Sequence, residues 1–262
     1  MKYSRCRYPD GGVYAEVTDF SNPVITEKIN TYEDLFFIKS LKDVCDYNHI
    51  KGVILHIPCM FQQQHDRRFE KNQSFELKIV GDFIKSCNFS EVHIFHPHNE
   101  SAVMMNIDNC YVVDNSKFIT EVLKDINSKP ILLSTDGGSF KWINKMADVI
   151  KYDGEVYGAS KCRDANTHRL VQMIDRKDFG GCDVLVVDDI LVGGATFIGL
   201  AQLLRERNIG KLYAAVSHTT IKSPRKELES LYDHIFTTNS KFDEYDLSNL
   251  TVLKLDDLKI FE

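Results

Sequence analysis

Short apolar runs recur along the chain, and segments with a helical spacing of apolar residues lie between them. A short apolar run bounded by polar residues is typical of a strand buried on both faces of a parallel sheet. Apolar residues three and four positions apart are typical of a helix that packs on such a sheet. The pattern predicts strands at 53–57, 92–95, 111–113, 131–134, 156–159, 184–187, 213–216 and 235–237, and helices at 32–47, 75–87, 117–125, 140–150, 197–207 and 225–231.

This alternation of strands and helices predicts an α/β fold with largely parallel sheets flanked by helices. The chain has 262 residues, which is long enough for two modest domains. Segment 127–130 is polar, ends in proline and divides the predicted strands about evenly, as expected of a domain boundary. We therefore expect two domains, at 1–128 and 129–262.

Composition and charge argue against several classes of protein, namely nucleic-acid-binding, secreted, membrane-spanning, disulfide-rich and zinc-binding proteins. The net charge of −6 and the lack of a basic run with interleaved aromatic residues argue against nucleic-acid binding. Residues 1–10 lack the apolar region of a signal peptide, and no apolar stretch approaches membrane-spanning length, so we expect a cytoplasmic protein without a membrane partner. The seven cysteines are scattered without C-x-x-C spacing, which argues against both a disulfide framework and a zinc site.

Polar side chains follow four of the predicted strands at the point where each strand ends. The carboxyl ends of parallel strands meet at one edge of a sheet, and ligands bind at that edge. We therefore expect a ligand site formed by four groups: His-Pro-His-Asn-Glu at 96–100, Asp136 with the two glycines after it, Lys-Cys-Arg-Asp at 161–164, and the pair Asp188 and Asp189.

Segment 184–196 carries the strongest chemical signal. The apolar run 184–187 is followed by the paired aspartates and then by a loop of small residues, Gly193, Gly194, Ala195 and Thr196. A Gly-Gly turn alone is most often structural. Two adjacent carboxylates repel each other and lose hydration, so a fold keeps them more readily where a ligand compensates. The loop N–H groups would bind an anion, and the carboxylates would accept hydrogen bonds from sugar hydroxyls.

Two further groups could take part in phosphate chemistry. His96, His98, Glu100 and Asp136 could ligate a divalent cation, although neighbouring histidines are at least as often ordinary surface or core residues. Near a phosphate site Mg²⁺ is favoured over Zn²⁺, because it uses few protein ligands and bridges substrate phosphates. Lys161 and Arg163 could stabilise charge on a transferring phosphate, whereas in most loops such residues are merely solvated.

These segments together resemble the PRPP synthetases (ribose-phosphate diphosphokinases), which have the phosphoribosyltransferase type of fold. The family motif D-D-x-x-D-T-G-G-T follows a hydrophobic strand, and Asp188, Asp189, Gly194 and Thr196 match it. Val192, Gly193 and Ala195 replace the family Asp, Thr and Gly.

Five other family segments have counterparts. Segment 61–67 resembles the ATP-contacting Y-A-R-Q-D-R, with Asp66 and Arg67 matching and Gln64 and His65 replacing Arg and Gln. His98 matches the metal-binding His of an Asp-Leu-His segment, in which His96 replaces the Asp. Asp136 matches the Asp of the P-D-x-G-G segment. Lys161 and Arg163 match the K-x-R of the flexible catalytic loop. Segment 8–11 resembles an N-terminal loop that reaches the ATP of a neighbouring subunit in the family.

The resemblance implies two phosphoribosyltransferase-type domains, with ATP on the side of 1–128, ribose phosphate on the side of 129–262, and a last strand that returns to the first domain. It implies transfer of the β,γ-diphosphate of ATP to an anomeric ribose hydroxyl, with Mg²⁺ as cofactor and a homo-oligomer of at least two subunits. The implied sites are Gln64, Asp66, Arg67 and His98 for ATP, His98 and Asp136 for metal, Asp188 and Asp189 for ribose, Gly193, Gly194, Ala195 and Thr196 for phosphate, and Lys161 and Arg163 for catalysis.

The acceptor is the open question. Val192 and Gly193 remove side chains that close around a terminal phosphate, so we favour ADP-ribose as acceptor, the substrate of a branch of PRPP synthetase-like proteins that rebuilds NAD. Ribose 5-phosphate is the alternative. A type I phosphoribosyltransferase, a non-catalytic partner of a PRPP synthetase and a nucleotide-binding regulator remain as other hypotheses.

Overall fold

A computed structural model describes residues 1–163 and 170–262, and at 161–163 and 170–172 it describes only the backbone. The chain divides into two compact units, each with its own hydrophobic core. Unit 1 comprises Met1–Val113 and Ile260–Glu262, and unit 2 comprises Asp114–Lys259. Both are built from parallel strands and helices, which confirms the predicted α/β fold.

Unit 1 contains a four-stranded parallel sheet in the order β3-β4-β5-β6 and a separate antiparallel hairpin of β1 and β2. Its elements are β1 (Lys2–Arg7), β2 (Val13–Asp19), β3 (Val24–Thr26), α1 (Tyr32–Tyr47), β4 (Ile54–Ile57), α2 (Glu76–Ser86), β5 (Glu91–Phe95), α3 (Glu100–Asn106) and β6 (Cys110–Val113).

Helix α1 shows how local sequence sets these elements. Thr31 and Asp34 form a capping box, in which each side chain bonds the backbone N–H of the other residue. Leu35, Ile38 and Leu41 follow at helical spacing and are buried in the core of unit 1. The helix therefore begins where its free N–H groups are satisfied and packs through one apolar face.

Unit 2 contains a six-stranded parallel sheet in the order β14-β13-β12-β11-β7-β8 and an antiparallel pair, β9 and β10. Its elements are α4 (Ser116–Asp125), β7 (Ile131–Ser134), α5 (Gly137–Val149), β8 (Val156–Gly158), β9 (Ser160–Arg163), β10 (Leu170–Met173), β11 (Val184–Leu191), α6 (Ala195–Arg205), β12 (Leu212–Thr219), α7 (Glu227–Leu231), β13 (His234–Thr238) and β14 (Leu250–Leu253).

Strand β11 lies inside this sheet and is apolar on both faces. Val184 and Val186 belong to the core on the α6 side, and Leu185 and Val187 belong to the core formed with α4 and α5. Successive side chains of a strand point to opposite faces, so four consecutive apolar residues fill both cores. The apolar run 184–187 is therefore explained by the position of β11 between two hydrophobic cores.

The division between the units differs from the predicted boundary at residue 128. Phe118, Ile119 and Val122 of α4 are fully buried and pack with Leu132 and Leu185 of the unit 2 sheet. Their burial assigns α4 to unit 2, so the division falls between residues 113 and 114.

The end of the chain also differs from expectation. The last strand, β14, pairs with β13 in the unit 2 sheet, and it is the segment Ile260–Glu262 that belongs to unit 1. Ile260 is buried, and the Phe261 ring stacks on His56 of β4 with ring centroids 4.4 Å apart. Among the described helices none has the length and apolar character needed to span a membrane.

Candidate active site

The paired aspartates lie within β11, two residues before its end. The prediction that the strand ends at Val187 was therefore wrong. Val187 is the last residue of β11 that pairs with β7, where it lies opposite Ser134, whereas the pairing with β12 continues to Leu191. The strand extends because β12 still supplies backbone partners, and Asp188 and Asp189 lie just beyond the end of β7.

Each carboxylate oxygen of Asp188 accepts a hydrogen bond from a described residue. The Thr135 hydroxyl donates to Oδ2 at 2.7 Å, and the Asp189 backbone N–H donates to Oδ1 at 3.0 Å. Burial, together with the neighbouring Asp189 carboxylate, raises the pKa of Asp188 well above its usual value, and the Thr135 bond acts in the opposite direction. A perturbed carboxyl group at the ligand edge of a parallel sheet is a candidate for function.

Asp136 is the N-cap residue of α5. Its Oδ1 accepts hydrogen bonds from the Gly138 N–H at 2.9 Å and from the Ser139 N–H at 3.0 Å. The Ser139 hydroxyl in turn accepts from the Asp136 N–H at 3.2 Å, which completes a capping box. This helix cap explains why α5 begins at Gly137, three residues before the predicted start, and it is a structural role of Asp136 that the sequence analysis missed.

The small-residue segment 193–196 is shorter as a loop than predicted, because Ala195 and Thr196 form the first turn of α6. Gly194 is the N-cap residue, with a left-handed φ of 77° that glycine adopts at no steric cost. Gly194 has no side chain with which to cap the helix. The positive end of the helix dipole lies at this first turn, and such an end suits an anion.

In unit 1, the segment 61–67 is attached to the segment that follows β5. The buried Gln63 accepts a hydrogen bond from the His98 backbone N–H at 2.8 Å, and Asp66 Oδ2 accepts from the Asn99 side chain at 2.6 Å. Gln64 and Arg67 are exposed. The structure thus brings together the predicted ATP residues Asp66 and His98, through Gln63 and Asn99, which the sequence analysis did not assign.

The predicted metal ligands His98 and Asp136 lie in unit 1 and unit 2, respectively. His98 is exposed, while the neighbouring His96 is buried and has a positive φ of 38°. Within the described part of the chain, no group of three His, Cys, Asp or Glu side chains forms a ready-made metal site. Mg²⁺ does not require such a cage, since it binds through one or two carboxylates together with substrate phosphates.

Lys161 and Arg163 lie in β9, which pairs with β10 in an antiparallel ribbon. The prediction of a loop at these two residues was therefore wrong, because backbone pairing with Gln172 and Leu170 extends the segment as a strand. Their side chains and residue Asp164 lie outside the described part of the chain.

Thr135 is the residue at this edge that the sequence analysis missed in unit 2. It is buried, with 1% of its surface exposed, and it directly follows β7. The sequence feature that could have identified Thr135 was its position between a predicted strand and Asp136. Its contact with Asp188 depends on the pairing of β7 with β11, which the local sequence does not specify.

Known proteins resemble this chain over most of its length. The ribose-phosphate pyrophosphokinase of Pyrococcus furiosus is 23% identical over 239 residues, covering 89% of this chain and 84% of the relative. That of Sulfurisphaera tokodaii is 20% identical over 248 residues, covering 92% and 84%. No model of a known protein family matches the chain.

A solved structure has the same fold. The phosphoribosylpyrophosphate synthetase from Mycobacterium smegmatis superimposes with a TM-score of 0.80 at 16% identity, covering 99% of this chain and 88% of that chain. The relatives share sequence with most of the chain, and this structure shares its fold. The chain is thus similar in sequence to ribose-phosphate pyrophosphokinases over most of its length, and it has the fold of a phosphoribosylpyrophosphate synthetase.

Proposed function

We propose that this protein transfers the β,γ-diphosphate of ATP to the anomeric hydroxyl of a ribose 5-phosphate moiety and releases AMP. The observation that carries the proposal is the pair Asp188 and Asp189. The pair lies beyond the end of β7, and Asp189 is five residues before Gly194, the N-cap residue of α6. Carboxylates that accept hydrogen bonds from ribose hydroxyls, next to a helix N-terminus that binds phosphate, suit a ribose phosphate.

In unit 2, Asp188 and Asp189 would hold the ribose hydroxyls, and segment 193–196 would bind the 5-phosphate through its N–H groups. Lys161 and Arg163 would contact the diphosphate as it moves, because phosphoryl transfer depends on cations placed at the oxygens that gain charge. The proposal needs no general base, since positioning and charge neutralisation supply most of the catalysis in phosphoryl transfer.

In unit 1, Gln64, Asp66, Arg67 and His98 would bind ATP. Two hydrogen bonds support this. Gln63 accepts from the His98 N–H and fixes the backbone there, and Asn99 donates to Asp66 and fixes its carboxylate. Mg²⁺, for which His98 is the candidate ligand in this unit, would neutralise charge on the ATP phosphates.

We further propose that the acceptor is ADP-ribose. A Cβ atom at Gly193 would have no heavy atom of the described residues within 4 Å apart from those of its own residue and its chain neighbours, and Val192 is 39% exposed. The segment therefore leaves open space at position 193, and neither position 192 nor position 193 has a side-chain hydrogen-bond donor. A terminal phosphate dianion gains most from such donors, whereas a diphosphate diester has less charge per phosphorus and needs a path out of the segment.

The reaction is tested by incubating the protein with ATP, Mg²⁺ and either ADP-ribose or ribose 5-phosphate, and by identifying the products by mass spectrometry. We expect AMP and an acceptor heavier by one diphosphate, and no turnover in EDTA. Absence of AMP with both acceptors would exclude diphosphate transfer to them. If the protein released no AMP but instead converted PRPP and a nucleobase to a nucleotide, it would be a type I phosphoribosyltransferase.

The acceptor is tested by comparing kcat/KM for the two sugars, because specificity is a ratio of these values. We expect a higher value for ADP-ribose, and we expect Val192→Asp with Gly193→Thr to shift the ratio towards ribose 5-phosphate. A wild-type preference for ribose 5-phosphate would leave the diphosphotransferase in place and remove ADP-ribose as its acceptor.

A further inference from the structure

Thr135 lies beside Asp188 because of the register between two strands. Ser134 at the end of β7 pairs with Val187 of β11, so Thr135 and Asp188 directly follow the last residue pair between these two strands. The Thr135 hydroxyl donates a hydrogen bond of 2.7 Å to Asp188 Oδ2. We propose that Thr135 is a positioning residue that orients Asp188 towards the ribose hydroxyls, an inference that rests on the proposed function.

The two hydrogen bonds on Asp188 fix the plane of its carboxylate. One donor is the Thr135 hydroxyl on Oδ2 and the other is the Asp189 N–H on Oδ1. A carboxylate oxygen has two acceptor positions, so each oxygen can still accept a hydrogen bond from a ligand. The backbone bond alone would hold only one oxygen, and the carboxylate could then rotate away from the direction a ribose needs.

The charge on Asp188 also depends on this contact. Burial and the neighbouring Asp189 carboxylate both disfavour the ionised form, and the Thr135 hydroxyl favours it. Thr135 is itself 1% exposed, so water cannot readily replace its hydroxyl. Removal of the hydroxyl would therefore leave Asp188 less ordered and less able to accept hydrogen bonds from a sugar.

Thr135 is also connected to the start of α5. Its hydroxyl lies 3.4 Å from the Ser139 hydroxyl, and the Ser139 N–H donates to Asp136 at 3.0 Å. The orientation of Asp188 is thus coupled to the helix cap that Asp136 forms. Through this chain of contacts, Thr135 links the ribose-binding carboxylate to a residue expected near the metal.

The experiment compares Thr135→Val with Thr135→Ser and with the matched control Thr237→Val. Valine keeps the shape of threonine and lacks the hydroxyl, and serine restores the hydroxyl. Thr237 is equally buried, and its hydroxyl bonds that of Thr219 at 3.0 Å on another part of the sheet. Each variant is assayed for KM and kcat with ATP and acceptor, and acceptor binding is measured by calorimetry with ADP-ribose and ribose 5-phosphate.

We expect Thr135→Val to weaken acceptor binding and raise the acceptor KM about tenfold, the loss typical of a hydrogen bond to a charged group. The KM for ATP should stay within about twofold, and Thr135→Ser should recover most of the loss. Thr237→Val should behave as wild type towards both substrates. Circular dichroism and thermal melting establish that each variant is folded.

Two results would overturn the proposal: a folded Thr135→Val variant with wild-type acceptor KM and affinity, or a Thr135→Ser variant as impaired as the valine variant. A wild-type protein that releases no AMP would instead contradict the proposed function. The calorimetric comparison of wild type with Thr135→Val still decides the role of Thr135 in that case, because it requires no turnover.

Discussion

The raised pKa of Asp188 identifies a carboxyl group whose charge the fold disfavours. Burial is the main cause, and the Asp189 carboxylate adds to it. A protein that keeps two carboxylates together at a partly buried strand end loses stability unless a ligand or a donor compensates. Thr135 supplies one donor, and sugar hydroxyls would supply others. Binding of a sugar, as proposed, would offset the energetic cost of the pair.

Lys161→Ala together with Arg163→Ala should abolish turnover without unfolding the protein. Each cation would stabilise charge that accumulates on the transferring phosphate, and loss of such a group costs on the order of a hundredfold or more in rate. AMP release measures the effect. The control variant Lys145→Ala with Lys211→Ala removes the same charge from exposed positions of unit 2 that have no assigned role. Near wild-type turnover in the first variant would remove both residues from the catalytic assignment.

The stability of the protein should fall between pH 6.5 and 4 in part through His56. Burial, with a smaller contribution from His93, lowers the pKa of His56 from 6.5 to about 4. In that window the unfolded chain binds a proton at His56 and the folded chain does not, so the free energy of unfolding decreases as the pH falls. His56 is only half-buried, so the effect is smaller than the full shift implies.

His56→Phe tests this prediction by thermal melting as a function of pH. Phenylalanine retains a ring for the stacking contacts with Phe261 and His93 and does not titrate. We expect the melting temperature of the variant to fall less than that of wild type on acidification. His49→Asn, at an exposed histidine, should keep the wild-type pH dependence. Identical slopes for His56→Phe and wild type would contradict the role of His56.

The start of α6 depends on the left-handed backbone of Gly194, and substitution of this glycine tests its role as the N-cap residue. A residue with a Cβ at its φ of 77° is strained, and a Cβ there would lie 3.1 Å from Leu228. Gly194→Ala should therefore lower the free energy of unfolding by about 1–2 kcal/mol. Gly193→Ala, which meets no described atom within 4 Å, should have a much smaller effect. Denaturant unfolding measures both variants, and equal destabilisation would contradict the assignment of the N-cap.

The elements with strong periodicity were predictable from local sequence, and their ends were not. Helix α1 was predicted at its observed bounds because its capping box and apolar face agree. Strand β11 extends to Leu191 because β12 pairs with it there, a tertiary partner that local sequence does not reveal. Strand β2 was missed although Val13, Ala15 and Val17 alternate with more exposed residues, the pattern of a half-buried strand.

The contact between the ends of β7 and β11 follows from the topology of a parallel sheet. Parallel strands end at one edge, so the polar residues after successive strands of a sheet were expected to converge. Within unit 2 this holds for Thr135 and Asp188, whose contact links the ends of β7 and β11. The partners that hold the site, such as Thr135 and Asn99, depend on strand register and loop conformation. They could not be deduced from residue types alone.

The chain crosses between its two units twice, once after Val113 and again after Lys259. The second crossing returns Ile260–Glu262 to unit 1, where Phe261 stacks on His56. The predicted single boundary at residue 128 rested on the polar segment 127–130. That segment connects α4 to β7 within unit 2, so polar composition there marks a surface loop.

We predict that the protein is at least a dimer in solution. The β1–β2 hairpin exposes Tyr8 and Tyr14, 56% and 38% exposed, with their rings 4.6 Å apart. The tip of this hairpin is the segment that resembles the family loop reaching a neighbouring ATP site. Light scattering should therefore give at least twice the chain mass of 30.1 kDa. A monomeric mass at a concentration with full activity would contradict the prediction.

Co-expression of two impaired variants tests whether the hairpin acts between subunits. One variant carries Lys161→Ala with Arg163→Ala, and the other carries Tyr8→Ala with Asp10→Ala in the hairpin tip. In a symmetric dimer whose hairpin serves the partner, the mixed dimer has one site with both groups intact and one with neither. Purified mixed dimers should then recover about half of the wild-type activity per dimer, because one of two sites is complete. If each hairpin serves its own subunit, both sites of the mixed dimer are impaired and activity stays at the level of the separate variants.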